Sequence, residues 1–353
     1  MPKEITIHDV ARLARVSPST VSNLLNGRKD RMRSGTMERV QQAIDRLGYT
    51  PSGLARQLKN GYAPIIGLVV PSVANPFWGA MARAVEETAL AHGYRVLLGN
   101  SERDLERELA YAEDMFAQGI RGIIFGSSPP SLAYLGALVE RGLRIVAFDR
   151  RSRREDRFDI DSVGINNVHA GHLATEHLLA LGHRRIGFLS GPIRTVSRMD
   201  RLEGYRAALA EAAIKLDPRL IWEGAVSSAF GDTEGAELGR SGAKEILGLA
   251  DRPTALLMIN DMYALGACAG ARDLGLRVPN DVSIVGCDDI ALADIVDPPL
   301  TTIRQPLQAM TRFAVKRLVG YLESTSAEGP SHMSLDPELI VRGSTAGPAT
   351  PSQ

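Results

Sequence analysis

Several polar side chains stand where an apolar run stops. Asp149 closes "RIVAFD", Asn260 and Asp261 close "TALLMIND", and Asp288 and Asp289 close "SIVGCDD". Arg201 falls in "SRMDRLEGY", shortly after "FLSGP", and Phe77, Trp78 and Phe230 offer flat apolar faces. Carboxylates, an amide and a guanidinium around an aromatic wall suit a polyol, because each hydroxyl gives and takes hydrogen bonds while the ring face packs on indole. The same carboxylates could do acid–base work on a sugar, but a pair flanking one bond is not established by the sequence. Asp261 and Asp289 read equally well as helix caps, and Phe77 as core.

Other chemistry finds less support. His169, His172, His177 and His183 cluster on or near one helix, yet no Cys or acidic partner stands at a tight ligand spacing. "GRSGAK" lacks the spaced Gly-Lys-Ser/Thr of a phosphate loop, and no nucleophile elbow or zinc-protease motif occurs. Neither a metal nor a cofactor is expected. The run "RRSRRED" at 150–156 reads as a solvated loop.

The elements that must position these residues alternate from Ile65 onward. "IIGLVV" is a buried strand followed by a helix near Phe77–Ala91, and "YRVLLG" a strand followed by a helix near Glu102–Ala117. "RGIIFG" and "RIVAFD" continue the series. A second set runs through "DSVGINN", a helix from Val168, "RRIGFLSG", "RPTALLMIND" and "DVSIVGCDD". Continuous apolar strands with crossover helices imply parallel sheets covered on both faces. Two sets imply two doubly wound lobes, with "LTTIRQP" and "ELIVRGST" returning to complete them. Ligands of such sheets sit beyond the C-terminal strand ends, here a cleft between lobes.

The N-terminal stretch "TIHDVARLARVSPSTVSNLLNG" holds two short amphipathic helices. Thr6 caps the first, which buries Val10, Leu13 and Ala14, and Arg15-Val16 makes the turn. Ser17 caps the second, Pro18 takes its first position, Val21, Leu24 and Leu25 form its buried stripe, and Asn26-Gly27 ends it. A third helix turns Met37, Val40, Ile44 and Leu47 inward, starts at a cap on Ser34 or Thr36, and stops at Gly48. This is a helix-turn-helix with a supporting helix. Its second helix is neutral, with Pro18, Ser19 and Asn23 outward, and a neutral polar face suits base edges while flanking charges suit phosphates. Asn23 has the amide for a bidentate contact to adenine. A three-helix bundle that binds protein is the rival reading.

Charge supports the nucleic-acid reading. The chain has 353 residues, 41 Lys and Arg and 41 Asp and Glu, but residues 1–60 hold 11 of the basic and only 5 of the acidic residues. A basic head on an acidic body suits a head that meets a polyanion. The length allows two or three domains. Two cysteines, Cys268 and Cys287, form no disulfide scaffold and read as small buried residues in a reducing compartment. "MPKEITIHDV" has no signal-peptide core, and no apolar run is long enough to cross a bilayer, so a cytoplasmic location without membrane contact is expected.

The head, the segment "YTPSGLARQLKNG" and "IIGLVVPSVANPFW", in this order and spacing, resemble the LacI/GalR family of bacterial transcription regulators, and the resemblance covers about residues 5–343. It implies an all-α helix-turn-helix DNA-binding head plus an α/β periplasmic-binding-protein-like body of two lobes. The expected divisions are a head at 1–49, a hinge helix at 50–61 and an effector domain at 62–343. Within the body, the N-lobe takes 62–161 plus 292–323 and the C-lobe 162–291 plus 324–343, with a disordered tail at 344–353. The implied DNA contacts are Thr6, Ser17, Pro18, Ser19, Thr20, Asn23, Arg28 and Arg31, with Leu54, Ala55 and Leu58 in the hinge, where Leu58 matches the leucine wedged into the minor groove. Arg201, Asn260 and Asp288 match the family's main effector contacts, and Phe77, Trp78, Ser127, Asp149, Ser197 and Phe230 match positions that line the pocket. Two departures stand out: "GRKDRMRSG" is long and basic, and Ser52 replaces a common Asn. The implied partners are operator double-stranded DNA, a second copy of the chain and a small sugar-like effector. The tail lacks the leucine heptads of a tetramer, which favours a dimer. Corepression by a purine-like ligand, a transport-type binder and a sugar-acting enzyme are the alternatives.

Overall fold

The computed structural model describes residues 5–25, 32–49, 63–150, 156, 158, 160–224, 235–323 and 329–348. The chain divides into two compact units, Met1–Ala63 and Pro64–Gln353. Among the described residues, no helix is long and apolar enough to cross a membrane.

The first unit contains α1 (Ile7–Ala14), α2 (Pro18–Leu25) and α3 (Ser34–Leu47). Helices this short are marginal alone and need a shared core. Val10, Ala11, Ala14, Val21, Val40, Ala43 and Tyr49 supply it. The start of α1 is closed by the Asp9 carboxylate, which accepts from the Thr6 amide at 3.0 Å and the Thr6 hydroxyl at 2.7 Å. Arg15 turns the chain in the left-handed region at φ 54°. The Ser17 hydroxyl accepts from the Thr20 amide at 3.3 Å at the start of α2. Gly48, at φ 60°, ends α3 and lets the Tyr49 amide reach the Ile44 carbonyl at 3.1 Å. Three expectations need correction. Leu13 and Leu25 are 42% and 36% exposed, because Ala11 takes the inward position on α1 and Val21 with Leu24 fills the seam of α2. Arg33, not Ser34 or Thr36, stands at the cap of α3, which has no side-chain cap. Asn26, Gly27, Arg28, Arg31, Leu54, Ala55 and Leu58 lie outside the described residues.

The second unit opens with β1 (Ile65–Val70), α4 (Pro76–Ala91), β2 (Arg95–Asn100), α5 (Leu105–Ala117), β3 (Gly122–Phe125), α6 (Gly136–Glu140), β4 (Arg144–Phe148) and β5 (Asp161–Ile165). It continues with α7 (Asn167–Ala180), β6 (Ile186–Ser190), α8 (Val196–Glu211), β7 (Ile221–Glu223), α9 (Gly235–Leu247), β8 (Ala255–Met258), α10 (Asp261–Asp273) and β9 (Ser283–Asp288). The last elements are α11 (Ala291–Ile295), β10 (Thr301–Arg304), α12 (Leu307–Leu322), β11 (His332–Leu335) and β12 (Glu338–Ile340). They build two six-stranded sheets, ordered β11-β5-β4-β3-β1-β2 and β12-β10-β9-β8-β6-β7. All pairings are parallel except that of β10 with β12. The strands β1, β3, β4 and β8 are almost wholly buried, as sheets covered on both faces require.

The lobes do not divide where expected. β5 belongs to the first sheet, since Val146 pairs with Asp161 and Ala147 with Ser162. Arg317 of α12 pins the same strand, donating through Nε to Asp161 Oδ1 at 2.8 Å. β10 belongs to the second sheet, with Thr301 opposite Val285, so only α12 of 292–323 returns to the first lobe. β11 then completes the first sheet and β12 the second. The chain therefore passes between lobes three times, near 166, 305 and 337.

Residues 344–348 also depart from expectation. Ser344 is fully buried, accepts from the Thr301 amide at 2.8 Å and donates to the Ile284 carbonyl at 2.6 Å. The Ala346 amide donates to the Ser283 hydroxyl at 3.0 Å. Polar composition suggested a loose tail, but small hydroxyl side chains here satisfy a buried backbone. Residues 349–353 lie outside the described set. In "RRSRRED", Arg150 and Asp156 form an ion pair at 2.8 Å with both side chains wholly buried, rather than facing solvent.

Candidate effector cleft and nucleic-acid interface

Four helices begin at the C-terminal ends of strands around one cleft, and each is capped by its own side chain. Asn75 caps α4 by accepting from the Phe77 amide at 3.1 Å, and Asn166 caps α7 by accepting from His169 at 3.1 Å. Thr195 caps α8 through Arg198 at 3.4 Å, and Asn260 caps α10 through Tyr263 at 3.0 Å. The cleft spans about 410 Å³, the open solvent at its mouth included. From the first lobe it is lined by Asn75, Phe77, Trp78, Arg103, Gly126 and Asp149, and from the second by Ser197, Arg198, Arg201, Ile259, Asn260 and Asp288, with Gln305 at the crossover.

Trp78 meets Phe77 edge-on, with centroids 5.1 Å apart and planes at 81°. Gly126 makes room for the indole, because a Cβ there would lie 2.5 Å from the Trp78 ring. Opposite this wall, Arg201 is 8% exposed and held from several sides. Its Nε donates to Asn167 Oδ1 at 2.8 Å and its Nη1 to the Ile259 carbonyl at 2.6 Å. Asn167 Nδ2 donates to Asp149 Oδ1 at 2.6 Å, while Arg201 Nη2 stands 3.9 Å from Asp149 Oδ2. Asp149, Asn167 and Arg201 thus form one chain across the two lobes. A guanidinium fixed this way keeps its remaining donors aimed, which lowers the entropy lost on gripping a ligand.

Asp288 accepts from Gln305 Nε2 at 2.8 Å. Burial pushes its carboxyl up to about 8, with Arg201 opposing the shift, so near neutral pH it holds a proton and can donate as well as accept. Asp261 behaves differently. It is fully buried, accepts from the Thr302 hydroxyl at 2.5 Å and the Ile290 amide at 2.9 Å, and burial raises it to about 6. It ties α10 to the sheet and does not line the cleft. Asp289 is taken by Arg304 and Arg342, each at 2.7 Å.

The structure thus brings Phe77, Trp78, Asp149, Ser197, Arg201, Asn260 and Asp288 to one cleft. Ser127 is buried behind the wall, where its carbonyl accepts from Arg103 Nη1 at 3.4 Å, and it is not among the lining residues. Phe230 lies outside the described residues. Sequence reasoning missed Asn75, Arg103, Arg198, Asn167 and Gln305. Asn75 carried a signal, since Asn before Pro-Phe is a helix start. Arg198 carried one too, three residues before Arg201 on the same helix face. On the head, Ser17, Ser19 and Asn23 are exposed, and Pro18 and Thr20 are half-buried. The four histidines have other work: His183 bonds Thr254, Ser283 and the Ala346 carbonyl, His177 bonds Thr345, His172 bonds Glu211, and His169 stands 4.0 Å from Asp336.

A helix-turn-helix unit joined to a two-lobed, parallel-sheet body with a polar cleft between its lobes defines the class of ligand-responsive DNA-binding regulators. Residues 6–52 match the model of bacterial regulatory proteins of the lacI family, and residues 175–345 that of a periplasmic binding protein-like domain. The chain is 33% identical over 341 residues to the HTH-type transcriptional regulator DegA of Bacillus subtilis, covering 97% of this chain and 98% of that protein. It is also 33% identical to the HTH-type transcriptional repressor CytR of Escherichia coli K12, covering 96% of each. Its fold matches the lac repressor dimer bound to operator and the anti-inducer ONPF with a TM-score of 0.82 at 29% identity, over 98% of this chain and 100% of that one. The transcriptional regulator CelR–cellobiose complex matches with a TM-score of 0.70 at 29% identity, over 96% and 99%. The chain belongs to the LacI family of transcription regulators.

Proposed function

We propose that this protein is a cytoplasmic repressor that binds a pseudo-palindromic operator as a homodimer and is released by a sugar or sugar derivative held in the cleft. The Asp149–Asn167–Arg201 chain, set opposite Trp78 and flanked by Asn260 and Asp288, is the observation that carries the effector part. It offers donors and acceptors to several hydroxyls and an apolar face to one ring. The matched structure named as a cellobiose complex supports the same ligand class. Arg201, Asn260 and Asp288 are the principal contacts in this reading, with Phe77, Trp78, Asp149 and Ser197 around them.

On the DNA side, α2 is the recognition helix. Ser19 and Asn23 read base edges, Ser17 and Thr20 position the helix start, and Arg28 and Arg31 meet phosphates. Leu58 acts as a wedge that holds a kinked central step. Selection from random DNA, with and without a mixed set of sugars, tests the whole reading. A recovered palindrome that is lost on adding sugars is the expected outcome, and no enrichment in either condition refutes it. Asn23→Ala should relax base preference at one position per half-site, and an unchanged preference would remove Asn23 from the reading set. Leu58→Ala should weaken operator binding far more than random-DNA binding, so equal losses would exclude the wedge.

A further inference from the structure

The two lobes meet at the cleft through hydrogen bonds of their own, and Ser128 makes two of them. It follows β3 in the first lobe and is only 2% exposed. Its carbonyl accepts from the Val196 amide at 3.0 Å, and its hydroxyl accepts from the Ser197 amide at 3.4 Å. Both donors stand in the first turn of α8, in the second lobe, and both residues are buried. An α-helix leaves its first-turn amides without acceptors of its own. Thr195 takes the Arg198 amide from within the lobe, and Ser128 takes the two amides before it from across the cleft. The start of α8 is thus capped jointly by both lobes.

The backbone of the first lobe is bent to make this contact. Ser128 lies in the left-handed region at φ 53°, which side chains other than glycine seldom adopt. Pro129 follows it, and a proline pushes the residue before it toward extended backbone. The Ser128 hydroxyl also donates to the Asp149 carbonyl at 2.7 Å, and Asp149 is itself left-handed at φ 58°. Such conformations persist only where surrounding contacts hold them. We propose that Ser128 is a positioning residue that latches the lobes together: it holds the start of α8, and with it Ser197 and Arg201, against Asp149 when no effector is bound. A single hydroxyl that gives to one lobe and takes from the other registers the two walls of the cleft to each other. A ligand then meets a cleft already assembled on this side, so less of its affinity goes into closing the lobes.

The latch belongs to the cleft read above as the effector site, but its test uses no ligand, so its failure leaves that reading standing. Hydrogen–deuterium exchange on the full-length, ligand-free protein compares wild type with Ser128→Ala, which loses the hydroxyl, and Ser128→Gly, which loses it and suits a left-handed φ. A peptide reporting Val196 and Ser197 should exchange about tenfold faster or more in both variants. Peptides over the buried part of α8, from Leu202 to Leu209, should keep wild-type protection. A second measurement reads the cleft itself. Trp78 lines it, and Trp222 is the only other tryptophan. In a Trp222→Phe background, both Ser128 variants should shift Trp78 emission to the red and raise its quenching by acrylamide, as water enters the opened cleft. Unchanged exchange at Val196 and Ser197 overturns the latch. Faster exchange there with unchanged Trp78 emission means that these bonds do not hold the lobes, and overturns it too. Protection lost through to Leu209 makes Ser128 a folding residue instead, and overturns it as well.

Discussion

Asp288 shows how far burial alone can set the state of a single side chain. Its carboxyl sits at about 8 in the folded protein, against an unfolded value of about 4. The native state therefore holds the proton more tightly than the unfolded state does. Its stabilising contribution is complete below about pH 4 and is lost progressively as pH rises to about 8. Asp288→Asn keeps the shape and the polar contact to Gln305 without the charge. It should raise the melting temperature relative to wild type at about pH 8.5 and do so much less at about pH 5. A pH-independent difference would show that the Asp288 carboxyl is not shifted. The polar residues at strand ends were legible in the sequence because an apolar run that stops on Asp or Asn marks a strand leaving its sheet, as at Asp149, Asn260 and Asp288. Arg198 was only half legible: its spacing from Arg201 put both on one helix face, but a charged helix residue reads as solvated until its burial is seen. Asn167 was hidden for another reason: its amide bridges Asp149 and Arg201, which lie on two other elements that the sequence alone does not bring together.

Elements place these side chains, and one helix crossing governs the placement of Arg201. α7 and α8 pack so closely that a Cβ on Gly171 would lie 2.1 Å from the Arg201 carbonyl oxygen, and one on Gly204 1.9 Å from that of Val168. No side-chain rotation relieves a clash with backbone. Gly171→Ala should lower stability by roughly 1–3 kcal/mol, the usual cost of overpacking, and should weaken effector binding by displacing Arg201. Melting curves and calorimetry check both, and a variant with native affinity would mean that α8 shifts without moving the guanidinium. The end of the body offers a second test. Burial lowers both His177 and His183, and these rings hold residues 344–348 through Thr345 and Ala346. A histidine with a depressed native value is protonated first in the unfolded chain, so its contribution is present at neutral pH. It is lost as pH falls below about 6.5 and through the native value. His177→Gln should flatten the acid side of the melting-temperature profile, and an unchanged profile would exclude this ring as its cause. Periodicity showed that 161–165 and 301–304 are ordered segments but not which sheet each joins, because both lie where the chain crosses between lobes and both sheets accept a parallel strand there. Composition misread 344–348 for a related reason: Ser and Thr signal solvent until the starts of β9 and β10 are found to take their hydrogen bonds.

At the scale of the whole molecule, the cleft draws its lining from both lobes, and the lobes are joined by only three crossings. A ligand that touches Trp78 and Arg103 on one side and Arg201 and Asn260 on the other makes its full set of contacts only when the lobes are close. It therefore favours that arrangement by the difference in its affinity for the two states, and by no more than that. If DNA binding by the head favours the other arrangement, effector and operator oppose each other through the same free energy. Linkage then requires reciprocity: the factor by which saturating effector weakens operator binding must equal the factor by which saturating operator weakens effector binding. Couplings of this kind run to about 1–3 kcal/mol, or roughly 5- to 150-fold. Fluorescence anisotropy on labelled operator, with and without effector, gives one factor, and calorimetry of effector with and without operator gives the other. Equal factors that both weaken binding establish the inducer mechanism. Equal factors that both tighten it reverse the sign and make the ligand a corepressor, while leaving the cleft as the effector site. A factor of one in both experiments would mean that the ligand does not distinguish the two arrangements, and a cleft that binds without coupling could not control the head.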